Sequence, residues 1–268
     1  MEEKGLSFLY RTLPGRILLR PLVSRPVSRL CGRFLDSPLS RPLIGRFMKK
    51  QQIDPALYLP EEYRCFNDCF CRRIRPELRP IDPDPGRLIA PCDGLLKVIP
   101  LQQDTVVAVK QSEFSLKTLL QDEELAARYH GGLCLVFRLC VNHYHRYAYA
   151  ESGQKGENIF IPGKLHTVRP VALENRPVFT ENCREYTVIQ TQRLGVLTQM
   201  EVGALLVGKI HNYHGASAVT RGEEKGRFLY GGSTVILLIE PGRVVMDPAF
   251  SAETETPVQM GSAIGDIL

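Results

Sequence analysis

The stretch Arg227-Phe-Leu-Tyr-Gly-Gly-Ser-Thr-Val-Ile-Leu-Leu-Ile239 constrains this chain's fold more than any other. Its last five residues are β-branched or leucine, and Pro241-Gly242 stops the run, so it predicts a buried strand. Shorter runs of the same texture recur from residue 86 onward, at 88–99 around an Asp93-Gly94 turn, 105–109, 134–141, 158–161, 184–190, 195–207 and 216–220. One helix is expected at 115–127, with Ser115 as its N-cap. Many short strands with few helices between them predict an α+β chain with a mainly antiparallel, sandwich- or barrel-like β core. The residues after Pro248 are polar and read as a partly ordered tail.

Composition fits a globular chain: 268 residues, 44% hydrophobic and 24% charged. No apolar run approaches the ~20 residues of a membrane-spanning helix, and arginine interrupts the N-terminus too often for a signal peptide, so export is not expected. The eight cysteines are expected as reduced thiols. Cys65-x3-Cys69-x-Cys71 fits no common zinc spacing and has no second pair, so no metal site is expected.

Charge is concentrated at one end. Residues 1–50 hold eleven basic and three acidic residues, a net +8 against +5 for the whole chain. Apolar residues recur there at helical steps (Leu9, Leu13, Ile17; Val23, Val27, Leu30, Phe34; Leu39, Leu43, Phe47), and Arg25, Arg29 and Arg33 form a separate i, i+4 row. Prolines 14, 21, 26, 38 and 42 cut the region into short pieces. Short basic amphipathic helices suit an anionic membrane surface; a packed subdomain with solvated arginines is the alternative. Nucleic-acid binding lacks the stacking aromatics it needs. Residues 61–73 read as a helix and 75–85 as extended, placing a boundary near 85 between a 1–85 helical region with its linker and an 86–268 β-rich catalytic domain.

Gly231 and Gly232 can hold strained backbone and present the Gly232–Ser233 peptide bond to the Ser233 hydroxyl. Attack on the Gly232 carbonyl would convert amide to ester, and elimination would break the chain and leave a dehydroalanine that hydrolyses to a pyruvoyl group. A tight turn before a core strand is the plainer alternative. The hydroxyl needs a base, and an imidazole needs an orienting group. Asn142-His143-Tyr144-His145 offers two imidazoles, on one face by alternation; Asp93 lies in its turn, and His166 in Lys-Leu-His-Thr-Val.

Several segments occur in one order: Phe66-Asn-Asp-Cys-Phe-Cys-Arg-Arg73 with Pro76 and Arg79-Pro-Ile81, Pro91-Cys-Asp-Gly94, Tyr144-His-Arg146, Val202-Gly-Ala-Leu-Leu-Val-Gly208, Gly222-Glu-Glu-Lys-Gly226-Arg-Phe and Gly231-Gly-Ser-Thr234. Together they resemble the phosphatidylserine decarboxylase family over about residues 60–240. The resemblance implies a proenzyme that cuts itself between Gly232 and Ser233, with Asp93, His145 and Ser233 as the relay. The first 232 residues and the last 36 would remain together as a heterodimer, with any higher oligomer left open. Ser233 would become the covalent pyruvoyl cofactor that converts phosphatidylserine to phosphatidylethanolamine and CO2. The expected setting is peripheral, at the cytoplasmic face of the cell membrane. One departure stands out. Many members carry Asp-Tyr-His-Arg-x-His, whereas this chain has His143 at the first position and Ala148 at the last. His143 and His166 are the available substitutes, and His166 is preferred because its segment is expected to start a strand beside that of His145. A serine hydrolase, which lacks its Gly-x-Ser-x-Gly elbow here, and a noncatalytic lipid-binding membrane adaptor remain the alternatives.

Overall fold

The computed structural model describes residues 3–102, 106–109, 112–204, 209–231 and 233–268. Thr105, the 205–208 part of the Val202–Gly208 motif and Gly232 of the expected cleavage site lie outside them.

A nine-stranded antiparallel sheet organises the molecule. Ser233–Ile239 lies in its middle, paired along its length with Val196–Val202 on one side and Leu133–Leu139 on the other. Its side chains alternate between two cores. Ile236 and Leu238 join Cys134, Val136, Met200 and Val202 on one face; Val235, Leu237 and Ile239 join Leu135, Phe137 and Leu197 on the other. Burial on both faces explains why residues 235–239 of this strand form a continuous apolar run rather than alternating. The sheet does not close on itself: its path ends at Ser217–Val219 and Thr256–Val258. Smaller antiparallel sheets flank it. One joins Arg87–Ile89, Ala263–Ile267 and Val244–Met246; another joins Ile210–Asn212, Glu224–Phe228 and Arg146–Ala148.

The basic N-terminus forms short helices, α1 (Glu3–Arg11), α2 (Leu13–Leu22), α3 (Arg25–Leu35) and α4 (Leu43–Lys50). Prolines sit in the first turns of α2 and α3, where no backbone N–H is missed, and Thr12 accepts from the Gly15 N–H. Gly15 is required by contact: a Cβ there would overlap the Phe8 carbonyl of α1. Leu6, Leu9 and Tyr10 of α1, with Leu19 and Val23, belong to the same core as Ile236 and Leu238. The opposite sides stay uncovered, leaving Leu13 (74%), Leu30 (69%) and Leu39 (78%) exposed beside Ile17, Leu18 and Phe34. No helix among the described residues is long and apolar enough to cross a membrane.

Several local expectations change. The helix expected at 61–73 shrinks to α5 (Phe66–Phe70), because Cys65 is extended and Tyr58 and Ile74 bridge around it. The 115–127 helix breaks at Gln121, in the left-handed region at φ 55°, and restarts with Asp122 as a new N-cap. Ser115 does cap the first piece, accepting from the Thr118 N–H. The tail is ordered: Thr256–Val258 pairs with Gly94–Pro100, and Ala263–Ile267 with Arg87–Ile89.

Candidate active site

Ser233 opens the central strand opposite Leu139. The strand Glu224–Phe228 precedes it, so the expected 227–239 run is two strands joined by a bend. Gly231 lies in that bend at φ 143°, a conformation that strains any residue with a Cβ. Ser233 is 1% exposed, and its Oγ has no hydrogen-bond partner among the described residues. A buried hydroxyl normally finds one, so this unsatisfied group marks a reactive setting.

His145 is fully buried. Alternation does not put it on one face with His143: residues 141–145 turn, and the strand begins only at Arg146. The Phe228 N–H donates to the His145 carbonyl at 2.9 Å, tying the residue to the strand that leads into Gly231. Phe70 of α5 covers the ring at 4.1 Å between centroids, and Tyr230 meets Phe70 edge-on. His145 Nδ1 lies 2.9 Å from the His143 carbonyl. A proton on Nδ1 satisfies that carbonyl and leaves the lone pair on Nε2, which makes no hydrogen bond of good geometry among the described residues although the Gly231 backbone lies close to the ring. Burial, then the Arg72 guanidinium, lowers the imidazole pKa to about 3; the Gly231 backbone favours the charged ring. Arg72 is itself buried and reaches the carbonyls of Asn142 (3.1 Å) and His143 (3.4 Å), so it fixes the turn that aims the ring.

Asp93 is placed differently from the expected relay. Arg79 grips both carboxylate oxygens, at 2.7 and 2.5 Å, and the Met260 N–H donates to Oδ1 at 2.9 Å. No contact to His145 occurs among the described residues. The imidazole that senses Asp93 is His143, whose pKa burial lowers while the carboxylate pulls it up. His143 Nδ1 accepts from the Cys140 N–H at 3.1 Å.

His166 does not begin a strand beside His145. Its backbone is held by the Asn182 side chain, which accepts from the His166 N–H and donates to the carbonyls of His166 and Gly203. Gly203 follows Val202, the cross-strand partner of Thr234, so His166 is linked through one side chain to the strand beside Ser233. Its Nδ1 lies 3.2 Å from the Tyr10 hydroxyl, and its Nε2 3.1 Å from Glu181 Oε2 without hydrogen-bond alignment. Burial lowers its pKa to about 4 against the pull of Glu181.

Sequence reasoning missed Arg72, Phe70, Tyr230 and Arg79 as site residues. Arg72, Phe70 and Arg79 lie inside the 66–81 motif, but spacing alone assigns none of them a partner. Asn67 was missed as well: its Oδ1 accepts from the Tyr230 N–H at 3.0 Å. The eight cysteines are all free thiols, and no group of three or more His, Cys, Asp or Glu among the described residues could hold a metal.

A buried serine hydroxyl with no hydrogen-bond partner among the described residues thus follows a left-handed glycine, and an imidazole kept neutral by burial stands on the same bend. This arrangement is not the open elbow of a hydrolase. Residues 66–266 match the family model described as phosphatidylserine decarboxylase. The chain is 39% identical over 266 residues to phosphatidylserine decarboxylase proenzyme 2 of Clostridium acetobutylicum, covering 97% of this chain and 91% of the relative. It is 37% identical over 272 residues to the proenzyme of Clostridium perfringens, covering 98% and 92%. It is 38% identical over 273 residues to that of Ruminiclostridium cellulolyticum, covering 98% and 91%. The chain belongs to the phosphatidylserine decarboxylase family.

Proposed function

We propose that this chain is a phosphatidylserine decarboxylase proenzyme that cuts itself before Ser233 and then converts phosphatidylserine to phosphatidylethanolamine and CO2. The observation that carries the reading is the pair of buried atoms beside the Gly231 bend, Ser233 Oγ and His145 Nε2, that make no hydrogen bond among the described residues. In the self-cleavage, Nε2 takes the hydroxyl proton and Oγ adds to the Gly232 carbonyl carbon. The C–N bond breaks, so the amide becomes an ester. Loss of the residue 233 α-proton expels the Gly232 carboxylate with the Cβ–O electron pair. Water then replaces the freed nitrogen, which leaves as ammonia. A pKa near 3 makes Nε2 a weak base but leaves it unprotonated at neutral pH, enough for an event that happens once per chain.

A carbonyl at position 233 fits this setting, since its oxygen carries no proton that a buried acceptor would have to take. The resulting pyruvoyl group supplies a ketone for the substrate amine and a sink for the electrons left by CO2. Phe70, Tyr230 and the two cores exclude water. His166, with Tyr10 and Glu181 beside it, is the residue we assign to returning a proton during turnover. Asp93 acts from within its Arg79 pair, holding the segment before Gly94–Pro100 against the His143 turn.

The exposed leucines of α2 and α3 and the basic charge of residues 1–50 support attachment as a peripheral protein at the cytoplasmic face of an anionic membrane. The two products stay together as a heterodimer. Intact mass tests the central reading: the native chain resolves into two fragments, whereas Ser233→Ala stays whole and releases no CO2 from phosphatidylserine. Full activity in the alanine variant ends the proposal.

A further inference from the structure

The arginine row of α3 has no role in the chemistry above. Arg25, Arg29 and Arg33 lie on one face of the helix, and that face lines a cavity of about 370 Å3 together with Lys209. The cavity is adjacent to the reacting segment. Leu229 and Asn67 form part of its wall, and Asn67 holds the Tyr230 N–H, three residues before Ser233. Four cations thus face one carboxylate, Asp36, which is already engaged by the Asn67 amide at 2.8 Å. Among the described residues none of the four has a carboxylate within ion-pair distance; Arg25 instead stacks over the Phe160 ring at 5.2 Å. Leu30 and Phe34, on the other side of α3, are exposed to solvent, as are Leu13 and Leu39.

We infer that this cavity is the phosphodiester subsite of the lipid substrate, with the α3 arginines and Lys209 holding the phosphate while the acyl chains remain at the apolar surface outside. Guanidinium groups bind phosphate oxygens through paired hydrogen bonds, and a cavity of this size takes a headgroup but not two acyl chains. Only a few bonds separate the phosphorus of such a lipid from its serine amine. A phosphate bound beside Leu229 and Asn67 therefore leaves the amine free to extend along the 229–231 bend toward position 233. The α3 row would then serve as a selector for diester headgroups over free amino acids. Gly32 gives an independent handle. It lines the cavity, and a Cβ built on it meets no atom within 4 Å.

The inference rests on the decarboxylase reading, and the test separates the two. Matured full-length protein is assayed with dihexanoyl phosphatidylserine below its micelle-forming concentration, which removes attraction to a charged bilayer. Arg29→Ala/Arg33→Ala removes charge from the cavity, and Gly32→Leu fills it without changing charge. Both are expected to mature into two chains, with KM raised about tenfold or more and kcat changed little. Arg64→Ala/Lys117→Ala, which removes the same charge from exposed positions elsewhere, is expected to leave KM unchanged. Glycerophosphoserine should inhibit the native protein competitively and lose that effect in both cavity variants. Unchanged KM in both cavity variants overturns the subsite, and so does inhibition by inorganic phosphate as strong as that by glycerophosphoserine. If the native protein releases no CO2 from phosphatidylserine, the decarboxylase reading fails instead. Calorimetric binding of glycerophosphoserine then still judges the cavity: loss in both variants upholds a phosphodiester site, and equal binding removes it.

Discussion

His145 and His166 are both buried, and burial drives both toward the neutral form, to about 3 and about 4. Their surroundings are otherwise opposite. Around His145 the strongest charge is Arg72, with His143 acting more weakly in the same sense, the cover is the Phe70 ring, and the partner of Nδ1 is a backbone carbonyl. Around His166 stand a hydroxyl, Tyr10, and a carboxylate, Glu181, with Lys164 and Arg176 opposing it. A ring pinned by backbone, with its lone pair aimed one way, suits a single proton removal. A ring between groups that can give back and share a proton suits repeated turnover. Burial alone does not separate these roles; the neighbours do.

The largest expected effect breaks the comparison on the His145 side. His145→Ala should slow chain cleavage by about a hundredfold or more, read as the persistence of a single chain in a mass time course. Asp93→Asn should stall cleavage as well, because it leaves the half-buried Arg79 guanidinium without its counter-charge and loosens the His143 turn. Normal maturation of Asp93→Asn would make that ion pair a fold element only.

On the other side, His166→Ala should still yield two chains but lose about ten- to a hundredfold in CO2 release. If His166→Ala stays uncut while His145→Ala matures, the two assignments are exchanged. A smaller change sharpens the contrast: Glu181→Gln removes the main influence raising the His166 pKa. Its activity should fall several-fold with a pH profile displaced to lower pH, whereas maturation is unaltered.

The smallest effect is on stability. Both imidazoles bind protons less readily folded than unfolded, where the pKa is about 6.5. Acidification below that value therefore favours the unfolded chain, and stability falls as pH drops from about 6.5 toward the folded values near 4 and 3. Each ring contributes a slope of at most about 1.4 kcal/mol per pH unit in that window. His166→Gln should flatten the pH dependence of urea unfolding between pH 6.5 and 4.5. An unchanged slope would mean the ring binds its proton equally well in the folded and unfolded states.

The central strand was legible because residues 235–239, covered on both faces, form an unbroken apolar run. The edge strand Thr256–Val258 was not. Pro257 argues against a strand by propensity, yet an edge position tolerates it. Ser233, His145 and His166 were recognisable as chemical candidates from residue type and context, but the orientation of each ring was not. His145 takes its direction from a carbonyl two residues away and from Arg72, and His166 from the Asn182 amide. Side chains that pair with backbone leave no periodic trace in a sequence. The same holds for Asp93, whose partner Arg79 is named by the motif but not joined to it by any spacing rule.

The position of Ser233–Ile239 carries a last consequence. If the backbone opens before Ser233, the start of the new short chain is the start of a strand laced to neighbours on both sides. The short fragment also supplies Thr256–Val258 and Ala263–Ile267 to partners far upstream. Dilution cannot part such fragments without unravelling the middle of the sheet, so their union is inherited from the intact precursor rather than maintained by concentration. Once melted, the two pieces face a bimolecular search that the uncut chain never met. The uncut Ser233→Ala protein should thus recover from urea far more completely than the cleaved form, which carries a conformation it can acquire only once.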